Sequence, residues 1–523
     1  MISRRSLALA LACALAGCGE PTPDGPSPDD WRGLLAAGDG IGAEAALRRA
    51  IENGTPADEL APWMGEAELQ QGDLLEAERW LAQGAFAPRS AAHGFHMLGR
   101  LRMRQGDLPG AGQAFDKALA TSPDEPGLWV DIGRLRWRGG EQAEAIAASE
   151  RALAASPDDP AALLFRAQLL RDSGGNGLAL PVIERGLAAS PGDPDLLAEH
   201  AATLGELGRA REMLAATRLL ASAAPSDPRA LYLQAVLAAR AGRYDLARSL
   251  LQRSGGSAQE VPGAAMLLAV VDMENGNFAT AAQGLDALLR RQPDNRRVRL
   301  LLARALALGG NHRELIARFG AEPDTPYMSM LVGRAYEAMG EREKAAPYID
   351  GALAGGALRI VPIGARSGLD VARQRGSGNG PSVVALVRAL IAADRKAEAR
   401  SASRTFLAAH PGSADAAALA GDAAFAAGDP VAAAAMYQRA AAIRRNWPLV
   451  KRMAAALERA GQPDAATKAI AAHLAGEPAN ADAAALLGRR LLDRGETQRA
   501  STLIDQARLR GRNDPLLSRL GVS

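Results

Sequence analysis

The sequence predicts an all-α protein built as a solenoid, in which short helical hairpins repeat along the chain and stack on one another. Three features recur at one interval of 34 residues: a glycine, small residues at two further positions, and a proline. Because this interval accommodates two helices of about three to four turns and two short turns, each hairpin can bury its apolar face only against its neighbours. The recurring glycines are Gly38, Gly72, Gly106, Gly140, Gly174, Gly208, Gly242, Gly276 and Gly310.

The other recurring positions predict how the two helices of a hairpin pack and end. Small side chains at two positions let helices approach nearly backbone to backbone. The recurrent glycine suits the left-handed residue after the first helix, and Asp73, Asp107 and Asn277 are expected to cap the second. The small residues seven before the glycines include Gly65, Gly99, Gly133, Ala167, Ala201, Ala235, Ala269 and Ala303, and those five after include Ala77, Ala111, Ala145, Ala179, Ala247 and Ala281. The prolines that mark the turn into the next hairpin are Pro123, Pro157, Pro191 and Pro225.

This pattern resembles the tetratricopeptide repeat, whose signature is a large residue, then Leu-Gly, an aromatic, Ala, an aromatic and Pro. The resemblance extends from about Asp30 to Arg512, over roughly thirteen or fourteen repeats. It implies a right-handed superhelical solenoid of helix-turn-helix repeats that binds other proteins on a concave surface lined by the first helix of each pair. The segment that begins at Ala92 carries the signature with Phe95, Leu98, Gly99, Ala111, Phe115 and Pro123.

Residues 1–17 are predicted to be a lipoprotein signal peptide. Arg4 and Arg5 precede the apolar run Leu7–Leu15, which is too short to span a membrane, since a span needs about 20 apolar residues. The ending Leu-Ala-Gly-Cys resembles the lipobox of bacterial lipoproteins, which implies that Cys18 is lipidated and becomes the mature N-terminus. An ordinary secretory cleavage site is the alternative.

The residues around this cysteine indicate a destination in the cell. Residues 18–30 are rich in proline and are expected to form an extended tether. By resemblance to lipoprotein sorting, Gly19 favours the outer membrane, so the expected location is the bacterial cell envelope, lipid-anchored and facing the periplasm. Cys13 is a poorer lipidation candidate, because Ala10 stands where the lipobox has a larger aliphatic residue.

After the tether, the repeats are predicted to form two arrays. The N-terminal array spans residues 31–355, and the C-terminal array spans residues 381–523. Between them, residues 356–380 break the period and predict an irregular joint. Glycines alternate near the end of this joint, but no strand precedes them and Pro381 follows directly, so a phosphate-binding loop is disfavoured.

Composition and motifs exclude several classes of function. The chain has 61 basic and 59 acidic residues, and removal of Arg4 and Arg5 with the signal peptide leaves the two equal, which disfavours nucleic-acid binding. His93 and His96 could share a metal ion, but two ligands without a third make a poor site. With no nucleophile elbow and no Walker lysine, we expect no enzyme activity, no cofactor and no small-molecule substrate.

The candidate binding residues are basic and aromatic side chains on the first helices of two adjacent repeats. Arginines four apart stack on one face of a helix, and like charges so close favour an acidic partner. The alternative is a solvated arginine-rich face whose arginines pair with neighbouring carboxylates. The residues of this predicted basic stripe are His93, His96, Arg100, Arg104, Arg134, Trp137 and Arg138.

The sequence therefore predicts a lipid-anchored scaffold that holds together other envelope proteins, in an assembly for polysaccharide export, pilus formation or secretion. The alternative function is a periplasmic carrier or chaperone that binds exported polypeptides or glycans in the concave groove.

Overall fold

A computed structural model of the chain describes residues 27, 29–255, 261–321, 323, 325–354, 368–374, 376 and 380–509. The predicted signal peptide, Cys18 and most of the predicted joint lie outside these residues. Throughout the described residues, every regular element is an α-helix. The chain divides into two units, of which the first ends at Asp124 and the second begins at Glu125.

The first unit contains six described helices. They are α1 (Trp31–Ala36), α2 (Gly40–Glu52), α3 (Ala57–Gln71), α4 (Leu74–Leu81), α5 (Ala91–Gln105) and α6 (Leu108–Leu119).

The second unit begins with fourteen helices that alternate as first and second members of a hairpin. They are α7 (Pro126–Arg138), α8 (Gln142–Ala155), α9 (Pro160–Gly174), α10 (Asn176–Ala189), α11 (Pro194–Glu206), α12 (Ala210–Ala223), α13 (Pro228–Arg240), α14 (Tyr244–Arg253), α15 (Pro262–Glu274), α16 (Phe278–Arg291), α17 (Arg296–Leu308), α18 (His312–Phe319), α19 (Pro326–Ala338) and α20 (Arg342–Ala354).

A short helix and four further hairpins complete the described part of the second unit. They are α21 (Leu369–Gln374), α22 (Gly380–Ala392), α23 (Lys396–Ala409), α24 (Ala414–Ala426), α25 (Pro430–Ile443), α26 (Trp447–Arg459), α27 (Pro463–Gly476), α28 (Ala481–Asp493) and α29 (Thr497–Leu509).

Consecutive helices pair into fourteen hairpins over the described ranges, with α21 left over. This arrangement confirms the all-α solenoid of tandem helical hairpins. It also agrees with the number of repeats expected from the 34-residue period.

The recurrent glycine takes the expected left-handed conformation at eight of the nine positions, with φ between 70° and 85°. The expectation for Gly174 is wrong, because Gly174 is the last residue of α9 and Gly175 has the positive φ, 87°. At this place the backbone of Gly476 packs against both glycines. The slip by one residue therefore coincides with a close backbone contact to a distant part of the chain.

The small residues permit close packing inside each hairpin, as the period predicts. A Cβ atom added to Gly99 would lie 2.3 Å from the Phe115 ring, and one added to Gly65 would lie 2.4 Å from Leu81. Between hairpins, a Cβ atom added to Gly133 on α7 would lie 2.4 Å from the Phe165 ring on α9. Each of these glycines on a first helix therefore receives a large side chain from a neighbouring helix.

Two of the three expected caps are confirmed. The side chain of Asp73 accepts hydrogen bonds from Leu75 N and Glu76 N at the start of α4, and Asp107 accepts one from Gly110 N at the start of α6. Asn277 occupies the capping position of α16, but its side chain accepts no capping hydrogen bond. Carboxylates are favoured at such positions because they accept from free first-turn amides.

We expect Gly99→Ala to destabilise the first unit by about 1–3 kcal/mol, because the rigid Phe115 ring leaves no space for the new methyl group. The measurement is urea unfolding followed by circular dichroism. Gly284→Ala is the control, since Gly284 lies in a helix with no atom within 4 Å of an added Cβ. A Gly99→Ala protein as stable as that control would contradict the close packing.

A buried carboxyl group makes the first unit sensitive to pH. Glu68 in α3 is only 3% exposed. Burial, followed by the neighbouring Glu44 and Asp73 carboxylates, raises its pKa from 4.5 to about 7. The folded state therefore keeps a proton on Glu68 that the unfolded state loses above pH 4.5.

The free energy of unfolding should consequently contain a contribution from Glu68 that is present below pH 4.5 and is lost as the pH rises through about 7. Glu68→Gln should remove this loss, which amounts to at most about 3 kcal/mol. The measurement is urea unfolding between pH 5 and pH 8, compared with Glu59→Gln, an exposed glutamate on the same helix. Parallel pH profiles for the wild type and Glu68→Gln would contradict the prediction.

Candidate functional site

The predicted histidines lie in the first unit, where His93 contacts α3, the preceding first helix, and His96 contacts α6, the second helix of its own hairpin. His93 Nε2 lies 2.9 Å from Glu66 Oε2, and its ring stacks on Trp63 with the centroids 5.5 Å apart. His96 meets the Phe115 ring edge-on, with the centroids 5.9 Å apart. The two histidines on α5 are therefore engaged with different side chains.

Arg100 and Arg104 also lie on α5, and each has a contact within the first unit. Arg100 Nη1 lies 3.7 Å from Met97 Sδ. Arg104 donates a hydrogen bond to the carbonyl oxygen of Leu69, near the end of α3. A cation at the C-terminal end of a helix is favourable, because the last carbonyls there carry partial negative charge.

The other predicted residues lie on α7 in the second unit. Arg134 Nη1 is 3.3 Å from Asp131 Oδ1. Trp137 is half-buried and packs against an apolar cluster that includes Val130 and Phe165. Arg138 is exposed at the end of α7.

The predicted stripe thus has members in both units, and its continuity stays a prediction. Within each unit, the structure gives carboxylate or carbonyl contacts to several members. Such contacts are expected under the alternative interpretation, in which the arginines form a solvated face and pair with neighbouring groups.

A groove in the second unit is lined by the first helices of five successive hairpins. Side chains from α7, α9, α11, α13 and α15 surround a cavity of about 720 Å³. This volume lies within the range of about 300–1,000 Å³ that is typical of ligand sites. The resemblance assigns the concave surface to the first helix of each pair, and this lining agrees with that assignment.

The floor of the groove is apolar and its edges are charged. Leu164, Tyr232 and Leu233 lie on the floor together with small residues of α11. Val261 also lines the groove and is 55% exposed. Gln168, Tyr232 and the charged groups supply a few polar atoms among mainly apolar ones, which is the usual make-up of a binding site.

The charged groups of the groove are held in ion pairs. Arg229 lies 2.5 Å from Asp195 Oδ1 and 2.6 Å from Asp227 Oδ2. Arg171 on α9 pairs with Glu199, whose side chain is 14% exposed. The groove therefore contains both acidic and basic groups, in contrast to the uniformly basic surface that the sequence predicts around Arg134.

These contacts shift two pKa values. Burial opposes ionisation of Asp227, but hydrogen bonds from the side chain and backbone of Arg229 outweigh it and lower the pKa of Asp227. Burial, with a smaller effect of Glu206, raises the pKa of the Tyr232 hydroxyl. Tyr232 is therefore a neutral hydrogen-bonding group at physiological pH, and Asp227 holds Arg229 in position.

Of the seven predicted site residues, Arg134 lines this groove. The sequence analysis did not identify Leu164, Gln168, Asp195, Arg229 or Tyr232. The available signal was the period itself. Gln168 stands one period of 34 residues after Arg134, and Leu164 and Tyr232 stand one and three periods after Val130. Adding the 34-residue period to the inner positions of one repeat, four times in succession, identifies these residues.

Among the described residues, no group of three or more His, Cys, Asp or Glu side chains is placed to hold a metal ion. Across those same ranges, no helix combines the length and apolar character needed to cross a membrane.

Two family models, both described as tetratricopeptide repeat, match the chain. One matches residues 96–160, 130–194, 196–261 and 384–448, and the other matches residues 238–305. Together they match slightly more than half of the chain. The chain therefore belongs to the tetratricopeptide repeat family.

The solved structures to which the chain is similar include the following three. The APC/C hetero-tetramer Cut9–Hcn1 is 13% identical, with 94% of this chain and 88% of that chain covered and a TM-score of 0.32. The human IFIT1 dimer with PPP-AAAA is 14% identical, with 79% and 94% covered and a TM-score of 0.38. YrrB, a TPR protein with an unusual peptide-binding site, is 19% identical, with 35% and 90% covered and a TM-score of 0.25. No curated protein matches the chain.

Proposed function

We propose that this chain is a lipid-anchored scaffold of a bacterial envelope, which binds segments of partner proteins in the groove of the second unit. The observation that carries the proposal is the convergence of five first helices on one cavity with an apolar floor and paired charges at its edges. The protein acts by binding and not by catalysis.

The chemistry of the groove suits a polypeptide segment that presents both apolar side chains and polar backbone groups. Apolar side chains of the segment would cover Leu164, Leu233 and Val261, and burial of this surface would supply most of the affinity. Gln168 and the Tyr232 hydroxyl would hydrogen-bond to the backbone of the segment, which has a donor and an acceptor at nearly every residue.

The surrounding ion pairs favour partners with mixed charge. Arg229 and Asp195 already neutralise one another at 2.5 Å, so a strongly acidic or strongly basic segment would have to break a pair that exists. The need to break this ion pair disfavours wrong partners more than the pair strengthens binding of the right one.

The envelope assembly that the scaffold serves is proposed to be one for polysaccharide export, pilus formation or secretion. The N-terminal sequence supports this part of the proposal, because Cys18 follows a short apolar run and precedes a proline-rich segment. A tether of this composition would remain extended and hold the repeats away from the bilayer.

We expect Ala202→Arg to lower the recovery of partner proteins at least tenfold, because a long charged side chain would enter the groove from α11. Ala215→Arg is the matched control, since Ala215 is an exposed residue on the second helix of the same hairpin. The measurement is quantitative mass spectrometry of proteins captured from detergent-solubilised envelope, with circular dichroism to verify folding. Equal capture by both variants would refute the groove as the binding site, and weak capture of many unrelated chains would favour the carrier over the scaffold.

We expect Cys18→Ser to move the protein from the membrane fraction to the soluble fraction. Buried acyl chains contribute about 0.8 kcal/mol per methylene group to membrane attachment, and the variant would have none. Cell fractionation after a high-salt wash measures the distribution, and Cys13→Ser, which changes the poorer candidate, should remain in the membrane fraction. Membrane retention of Cys18→Ser would contradict the lipid anchor. It would not bear on the proposal that the groove binds partner proteins.

A further inference from the structure

Residues eight hairpins apart along the chain contact one another within the second unit. The backbone amide of Ala143, in the first turn of α8, donates a hydrogen bond of 3.1 Å to the carbonyl oxygen of Gly412. The amide of Ala414, in the first turn of α24, donates one of 2.7 Å to Gln142 Oε1. First-turn amides have no partner inside their own helix, so each contact satisfies a donor that the helix leaves free.

The same contact continues one hairpin further along on both sides. The amide of Arg445 donates to the carbonyl oxygen of Asp172 at 2.7 Å, and Arg445 Nη2 lies 3.4 Å from the Gly174 oxygen. Asn176 Nδ2 donates to Glu477 Oε1 at 3.0 Å. We call this set of contacts the seam, with residues 142–144 and 172–177 on one side and residues 412–414, 445 and 476–477 on the other.

Glycines allow the two backbones to meet at the seam. A Cβ atom added to Gly476 would lie 2.0 Å from the Gly174 oxygen, and one added to Gly175 would lie 2.6 Å from the Gly476 oxygen. This is also where the left-handed conformation moves from the periodic Gly174 to the following Gly175. The local departure from the repeat geometry therefore coincides with the seam.

The seam is held by polar contacts and not by a shared core. None of the apolar clusters in the described residues contains residues from both of its sides. Burial raises the pKa values of Asp172 and Glu477 and lowers the pKa of Arg445, so closure is unfavourable for three charged groups. Each hydrogen bond contributes only about 1 kcal/mol net, which leaves the gain from closure small.

The two sides of the seam also enclose a cavity. Gly139 and Gly140, in the turn before α8, form one wall of a space of about 470 Å³. The opposite wall comes from the C-terminal hairpins and includes Val384, Phe406 and Asp422. Separation of the two sides of the seam would leave this space as an open surface.

We propose that the seam is a reversible latch. In the closed form, the turns before α24, α26 and α28 dock on α8, α9 and α10, and the cavity exists. In the open form, the hydrogen bonds of the seam are broken and the C-terminal hairpins separate from α8, α9 and α10 as intact hairpins.

Hydrogen exchange of the wild-type protein tests reversibility directly. The amides of Ala143, Ala414 and Arg445 should be protected, should exchange with a common opening free energy, and should exchange at least tenfold faster than core amides of α25 and α27. Unprotected seam amides would show that the seam does not form. Exchange of the seam amides only together with the core amides would show that the seam is a permanent part of the fold, and either result overturns the latch.

Gly476→Ala tests the geometry. Gly476 is the last residue of α27, where alanine favours the helix, but its methyl group would overlap the Gly174 oxygen. We expect the three seam amides to exchange at least tenfold faster than in the wild type, and small-angle X-ray scattering to give a larger radius of gyration. Gly284→Ala, a helical glycine with no neighbour within 4 Å, should match the wild type in both measurements.

A second variant serves if Gly476→Ala loses helicity. Gln142→Ala removes the side-chain acceptor of the Ala414 amide without adding an atom. We expect the amides of Ala143 and Arg445 to lose protection along with that of Ala414, because one latch holds all three. Loss of protection at Ala414 alone would show independent contacts and would overturn the latch.

Discussion

The structure depends on the close approach of two helices inside each hairpin. A glycine on a first helix faces a large side chain from the second helix, as at Gly65 with Leu81 and at Gly99 with Phe115. A helical hairpin of about thirty residues cannot bury enough apolar surface alone, so its stability comes from this packing and from the next hairpin. Because small residues recur at the same positions of each repeat, the two helices of each hairpin approach one another in the same way, and the array continues.

This constraint also decides which side chains are available for binding. On each first helix, the residues opposite the second helix are released from packing and can face the groove, and successive hairpins place such residues side by side. Leu164, Ala198 and Tyr232 stand at the same position of three consecutive repeats, yet their side chains differ in size and polarity. The backbone period supplies a uniform frame, and the variation at inner positions supplies the chemistry of the groove.

The fold could be predicted from the sequence because its cause is periodic. The turn glycines, the small packing positions and the caps Asp73 and Asp107 all follow from contacts within about one repeat. The groove was only partly predictable, since attention to adjacent arginines identified Arg134 but not Asp195 or Tyr232. The seam could not be predicted, because it joins residues about 300 apart through glycines whose individual positions carry no long-range signal.

The arginines illustrate why composition alone gave an incomplete account of the surface. Arg104 donates to the Leu69 oxygen, and Arg240 donates to the Gly205 oxygen, in both cases across 35 residues to the end of the preceding first helix. These two side chains stand at the same place in their repeats, and each adds a hydrogen bond to a carbonyl that also accepts from the glycine amide following its helix. An arginine at this place therefore stabilises the stacking of hairpins, whatever else it contacts. Arg229 differs, because it lies at the groove with its partners Asp195 and Asp227. The position of an arginine within the period, and not the number of arginines on a face, determines whether it contacts the end of the preceding first helix or lines the groove.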